Sequence, residues 1–198
     1  MLSKLLGFTV LSVLVFTAGC RSGNRAATNA SPSPSAADDV WQDARLIDFR
    51  PSTVSISVLK NWNFSSAGHE VTMTSPGQTL TVIIFAPPFD TFDAAEAKSI
   101  EQVARFVDRA EPDATPQKWN VESGLFAISE KGIGTKDGAK VGWGSALVNT
   151  GAKPLQLVWY FEPSSPNRDE ELHQLQLMLN NIRTLTNAKR SVNTYIID

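Results

Sequence analysis

One cysteine, two histidines and a few clustered carboxylates are the side chains from which this 198-residue sequence could build chemistry. The cysteine is Cys20, preceded by Thr17-Ala18-Gly19 and an apolar run from Leu5 to Phe16. Beyond it there is no thiol, hence no disulfide, no thiolate nucleophile and no sulfur ligand for a metal. The histidines are His69, near a turn that leads into a strand, and His173, on the polar edge of a helix. A catalytic zinc site wants about three protein ligands, commonly histidines at helical spacing, and that pattern is missing. A hydrolase or metal-dependent enzyme would have to use His69 with Asp90 or Glu70, and solvated histidines are the plainer account. Asp90 and Asp93 stand just ahead of a helix, where capping explains them. A bound cation would need about six or more oxygens, which the neighbourhood does not supply. No catalytic residue, metal or cofactor is expected.

Two glycine-rich stretches resemble catalytic or phosphate loops and fail in detail. In Gly132-Ile133-Gly134-Thr135-Lys136-Asp137-Gly138 the third glycine of a dinucleotide fingerprint would fall at Asp137, and no helix follows to aim its dipole at a phosphate. A flexible hairpin end fits better. Gly142-Trp143-Gly144-Ser145-Ala146 lacks the glycine that a serine elbow needs two residues after the serine. Its glycines are expected to let Trp143 pack across them, or to bend the strand.

The first residues read as an export signal. Met1 and Lys4 give a positive start, and the apolar run that follows is too short for the ~20 residues of a membrane span. Residues 16 to 20, Phe-Thr-Ala-Gly-Cys, resemble the lipobox of bacterial lipoproteins, with Thr17 where most carry leucine. The resemblance implies cleavage after residue 19 and diacylation of Cys20. Two or three acyl chains hold a protein at a membrane almost permanently, where one alone does not. Arg21, by the same resemblance, favours the outer membrane over the inner.

Residues 20–44 carry the lipidated cysteine and a Ser-, Pro-, Ala- and Asn-rich stretch with too little apolar surface to offset its ordering, so a flexible tether is expected. Residues 45–185 form a single domain and 186–198 a tail, in which Tyr195-Ile196-Ile197 either adds an edge strand or hangs loose. The net charge of −2 and the lack of an aromatic-laced basic patch argue against nucleic acid as partner. With 5 tryptophans and 10 phenylalanines the domain can fill a core without disulfides.

Periodicity sets out the elements. Val54, Ile56 and Val58 alternate with serines, Val71 and Met73 with threonines, and Leu80–Phe85 reads as a buried strand. Asp93 with Glu96 has the capping-box spacing, and Ile100, Val103, Ala104 and Val107 make an apolar stripe. Strands follow around Leu125–Ile128, Val141–Val148 and Leu155–Phe161, with a turn at Lys136-Asp137-Gly138. Ser165-Pro166 starts a second helix, striped by Leu172, Leu175, Leu179 and Ile182. The expected fold is α+β, an antiparallel sheet of about six or seven strands covered by two main amphipathic helices. Trp159 and Tyr160 must face opposite sides of their strand, so at least one lines a groove or a helix-covered surface.

This order of elements over residues 45–185, behind a lipoprotein anchor, resembles the Mog1/PsbP-like fold, in particular envelope lipoproteins of the DcrB kind. What the resemblance implies is binding rather than catalysis, and no site residue carries over. The reading is therefore a lipid-anchored envelope protein, its domain in the periplasm, with a non-catalytic binding or accessory role towards another envelope protein. Open surface should lie in the connections Phe85–Asp93 and Glu130–Lys140. Phe89, Phe92, Lys136 and Asp137 are the candidate binding residues there.

Overall fold

The structure is a computed structural model that describes residue 41, residues 43–185 and residues 194–198. The expected export signal, Cys20, most of the expected tether and residues 186–193 lie outside the described residues.

The strands are β1 (Arg45–Phe49), β2 (Val54–Val58), β3 (Asn63–Ala67), β4 (Glu70–Thr74), β5 (Leu80–Phe85), β6 (Asp108–Pro112), β7 (Gln117–Asn120), β8 (Phe126–Lys136), β9 (Ala139–Val148), β10 (Leu155–Phe161), β11 (Arg183–Thr184) and β12 (Thr194–Ile197). The helices are α1 (Phe92–Glu96), α2 (Ser99–Val103) and α3 (Arg168–Asn180). The expected α+β architecture is present. The main sheet has eight strands, ordered β3-β4-β5-β10-β9-β8-β6 with β7 also on β8, and every pair is antiparallel. It exceeds the expected size because β6 and β7, polar and nearly fully exposed, carry almost no apolar alternation to announce them.

A smaller sheet, ordered β11-β2-β1-β12, lies apart from it in pairing. Its edge strand β12 runs parallel to β1, Ile47 opposite Tyr195, so the end of the chain adds an edge strand. The main core is shared by β1 and β2, one face of the large sheet and α3, through residues such as Phe49, Ile56, Val82, Leu157, Leu175 and Leu179. On the opposite face a smaller cluster of Ile83, Phe85, Val103, Val107, Trp143 and Val158 is packed by α2 and the segment that follows it.

The first helical segment departs from expectation. Thr91, not Asp93, is its N-cap, and the Thr91 hydroxyl accepts from Ala94 N–H at 3.3 Å. Asp93 falls instead in the first turn, where its charge complements the helix dipole. The helix is interrupted at Ala97-Lys98, and Ala104 of the expected stripe is exposed. The restart places Ser99 over the buried Gln156, whose Nε2 donates to Ser99 Oγ at 3.3 Å and to Ser145 Oγ at 3.2 Å. In α3 Leu175 and Leu179 of the expected stripe are buried with Met178 and Leu172 is half-buried, but the helix runs from Arg168 to Asn180, so Ile182, though buried, lies beyond it. Glu171 is only 3% exposed. Its carboxylate accepts from Gly77 N–H at 3.0 Å and Thr79 Oγ1 at 2.5 Å, which ties the helix to the β4–β5 turn.

Candidate binding groove

β7, β8, β10 and α3 leave an open groove of about 320 Å³ between them. Its walls include Gln117 and Trp119, Ser129 and Lys131, Trp159, Gln176 and Leu179. The strand registers explain why these residues meet. Trp119 pairs with Ala127 and Gln117 with Ser129 across β7–β8, while Lys131, Gly144 and Trp159 form one row across β8–β9–β10. Paired residues of an antiparallel ladder share a face, so all of these side chains leave the sheet on the side of α3. Glu130 and Lys118 also contribute to the walls, but their registers with Ser145 and Ile128 send their side chains to the other face. Lys131 is thus the one formal charge that the lining residues turn towards the groove.

Two glycines make room for this wall. A methyl group at Gly144 would overlap the indole of Trp159, and one at Gly142 the ring of Phe161. These glycines therefore admit the aromatics of β10 from the neighbouring strand, and not Trp143 as expected. Trp143 goes to the other face, where its Nε1 donates to Ile133 O at 2.9 Å. Trp159 and Tyr160 do part, Trp159 to the groove and Tyr160 to the smaller cluster.

The indole N–H groups divide sharply. Trp62 donates to Gln174 Oε1 at 2.8 Å and Trp143 to Ile133 O, whereas the buried Nε1 of Trp119 has no partner among the described residues. An unpaired donor without access to water costs about 1–3 kcal/mol, a cost that the fold carries at Trp119. Composition marks Trp119 only as an aromatic. Its isolation follows from where β7 lies, which no local pattern reveals.

The expected binding residues are placed elsewhere. Phe92 is half-buried and packs edge-on against Phe126, with ring centroids 5.6 Å apart, and Phe89 is half-buried nearby in the chain. Lys136 lies 5.8 Å over the Tyr160 ring, and Asp137 is exposed in the hairpin turn. Phe126 and Lys136 are opposite ends of the eleven-residue β8, about 33 Å apart at the usual strand rise, so the two pairs do not form one site. The segment Glu130–Lys140 is also not a long connection. Its ends belong to β8 and β9, joined by Asp137 and Gly138 at φ 51° and 80° in a tight primed turn. Gly132 and Gly134 lie inside β8, where a side chain would strike β6 backbone at Glu111 or the Val107 methyl.

His69 and Glu70 line a shallow cavity with Phe85, Pro88 and Arg105, and Asp90 is not among its lining residues. Arg105 engages Glu70 as an ion pair, and His69 Nδ1 lies against the backbone oxygen of Asp198. No cluster of three or more His, Cys, Asp or Glu suited to a metal occurs among the described residues, and no described helix is long and apolar enough to cross a membrane.

No known protein family and no curated protein matches the chain in sequence. Several solved structures are similar to it. The structure of LpqN, involved in cell envelope biogenesis of Mycobacterium tuberculosis, has 10% identity and TM-score 0.49 over 77% of this chain and 98% of that one. Cyanobacterial PsbP from Synechocystis has 9% identity and TM-score 0.45 over 71% and 92%. PA94 of Pseudomonas aeruginosa, a protein of unknown function, has 14% identity and TM-score 0.43 over 75% and 99%.

Proposed function

We propose that this chain is a lipid-anchored envelope protein that binds another envelope protein without catalysing a reaction, and that the groove beside α3 is where it binds. The observation that carries the reading is the pair of indoles, Trp119 and Trp159, walling an open groove. Such a site offers apolar contact, neutral amides and one ammonium group. It offers neither a nucleophile backed by a base nor a pair of carboxylates, so association is the chemistry it is equipped for. Cys20 supports the anchoring half of the reading, because its thiol is the only one in the chain that could take a diacylglycerol.

A photo-crosslinking amino acid at Gln176, on the exposed rim, should trap a recurrent envelope protein in intact cells. The same residue at Ser66, on the far edge strand β3, should not. Palmitate label should mark the wild type and vanish in Cys20→Ser. Equal crosslinking at both sites would remove the groove from the reading, and label persisting in Cys20→Ser would remove the anchor. Substrate turnover lost in His69→Ala would replace binding with catalysis.

A further inference from the structure

Beside the groove, β7 presents an open strand edge. It pairs with β8 alone, and Gln117–Asn120 make no backbone hydrogen bond to any other segment among the described residues. The ladder decides which of its polar groups are free. Val121 N–H donates to Leu125 O at 2.9 Å across the hairpin, while Phe126 O accepts from Asn149 N–H at 2.8 Å on the far side of β8. Bonded and non-bonded pairs alternate along an antiparallel ladder. Counting back from Val121, Trp119 and Gln117 bond to β8, and the N–H and C=O groups of Lys118 and Asn120 point outward. Both residues are exposed, and Trp119 between them turns its ring to the groove.

We propose that this edge and the groove together take an extended peptide segment of the partner protein, added antiparallel to β7, with an apolar side chain against Trp119 and an acidic one reaching Lys131. The proposal rests on the groove reading and specifies its occupant. Strand addition supplies affinity through main-chain bonds and specificity through alternate side chains, and a short polar edge guarded by Lys118 is suited to it without inviting self-association. The acid follows from charge, since Lys131 alone among the lining residues turns a formal charge to that side.

Geometry sets the spacing. Lys131 lies four residues along β8 from Ala127, the partner of Trp119, or about 13 Å. A strand antiparallel to β7 runs parallel to β8. The acidic residue therefore follows the apolar one by two to four positions, the shorter spacing being within reach of a lysine side chain.

A phage-displayed library of random dodecapeptides, panned over the full lipidated chain in detergent, tests this. Enriched sequences should share an apolar residue followed two or four positions later by Asp or Glu. A fluorescein-labelled peptide of that consensus should bind in anisotropy titrations. Lys118→Pro removes one outward N–H and spares the β8 ladder, so it should weaken binding about tenfold, with Trp119→Phe and Lys131→Glu costing about fivefold. Should Lys118→Pro disturb the fold, the peptide N-methylated where it faces Lys118 and Asn120 should lose binding to the wild type by the same factor. Absence of the consensus, or equal binding by the N-methylated peptide, overturns the proposal. So does a dimer in light scattering that Lys118→Pro abolishes, since a second copy would then own the edge. Crosslinking at Gln176 that survives these changes would leave the groove reading standing and remove only strand addition.

Discussion

On one face of the large sheet Trp143, Phe85 and Val158 are closed over by α2 and the segment after it, and on the other Trp119 and Trp159 stand at the wall of an open groove. The covered face settles its large donor, because Trp143 N–H finds Ile133 O inside the sheet itself. The groove face leaves its equivalent, Trp119 N–H, without an acceptor. Buried acceptors are also left over behind the sheet, at Gln156 Oε1 and Glu130 Oε2. The amide of Gln156 is nonetheless anchored through Nε2, whereas an indole has a single polar hydrogen and no second way to be satisfied. On the covered face the large donor is matched within the sheet, and on the groove face it is not.

The largest expected effect is at Leu179, which belongs to the core and to the groove wall at once. Leu179→Asp would bury a charge with no partner and should cost about 4 kcal/mol or more, leaving the domain unfolded or aggregating. A thermal melt within a degree or two of wild type would mean that α3 is not seated on the sheet. Next is Gly144→Val. Its side chain would overlap the Trp159 indole, so a loss of about 2–3 kcal/mol and a red shift of tryptophan emission should appear together. An unchanged emission spectrum would separate Trp159 from that glycine.

Replacing each of the two indoles by phenylalanine separates the two faces. Trp143→Phe removes the Nε1 bond to Ile133 O and opens space in the smaller cluster, and should lower stability by about 1–2 kcal/mol in denaturant titration. Trp119→Phe deletes a donor that has no acceptor, so the lost ring area is offset and stability should stay within about 0.5 kcal/mol. Equal losses at the two positions would abolish the distinction drawn between the faces. The smallest effect belongs to Asp169, at the start of α3. A hydrogen bond from Arg168, and then its charge, hold that carboxyl below the usual range. Its small contribution is present above the unfolded-state pKa and fades as pH falls through the lower folded value. Asp169→Asn should therefore change only the acid limb of the stability profile, and slightly, because the pair is in water.

Much of this frame is legible in the residues. Period-two alternation around Val71 and Met73 marks β4, the unbroken Leu80–Phe85 marks a strand buried on both faces, and the leucines of α3 mark the stripe it buries. The turn at Asp137-Gly138 announces its hairpin, since both positions need positive φ. β6 and β7 are silent, because an edge strand facing water on one side needs no apolar alternation. The glycines of β8 and β9 are visible as glycines and misleading as to reason. What crowds them comes from β6 and β10, segments distant in the chain.

By itself the sequence determined the α+β class, the antiparallel hairpins and the stripe of α3, all set by spacing within a few residues of one another. It determined as well that the described domain must hold together without a disulfide, since its only cysteine precedes it. Tertiary structure alone decided that Trp119, Lys131 and Trp159 meet in one groove while Phe92 and Lys136 lie at opposite ends of β8. It also decided that one indole of the core goes unpaired. The physical reason is the register. Which residues share a row across β7, β8, β9 and β10 depends on pairings between segments whose order along the chain does not state their neighbours, and a shift of one residue would turn every one of these side chains to the other face.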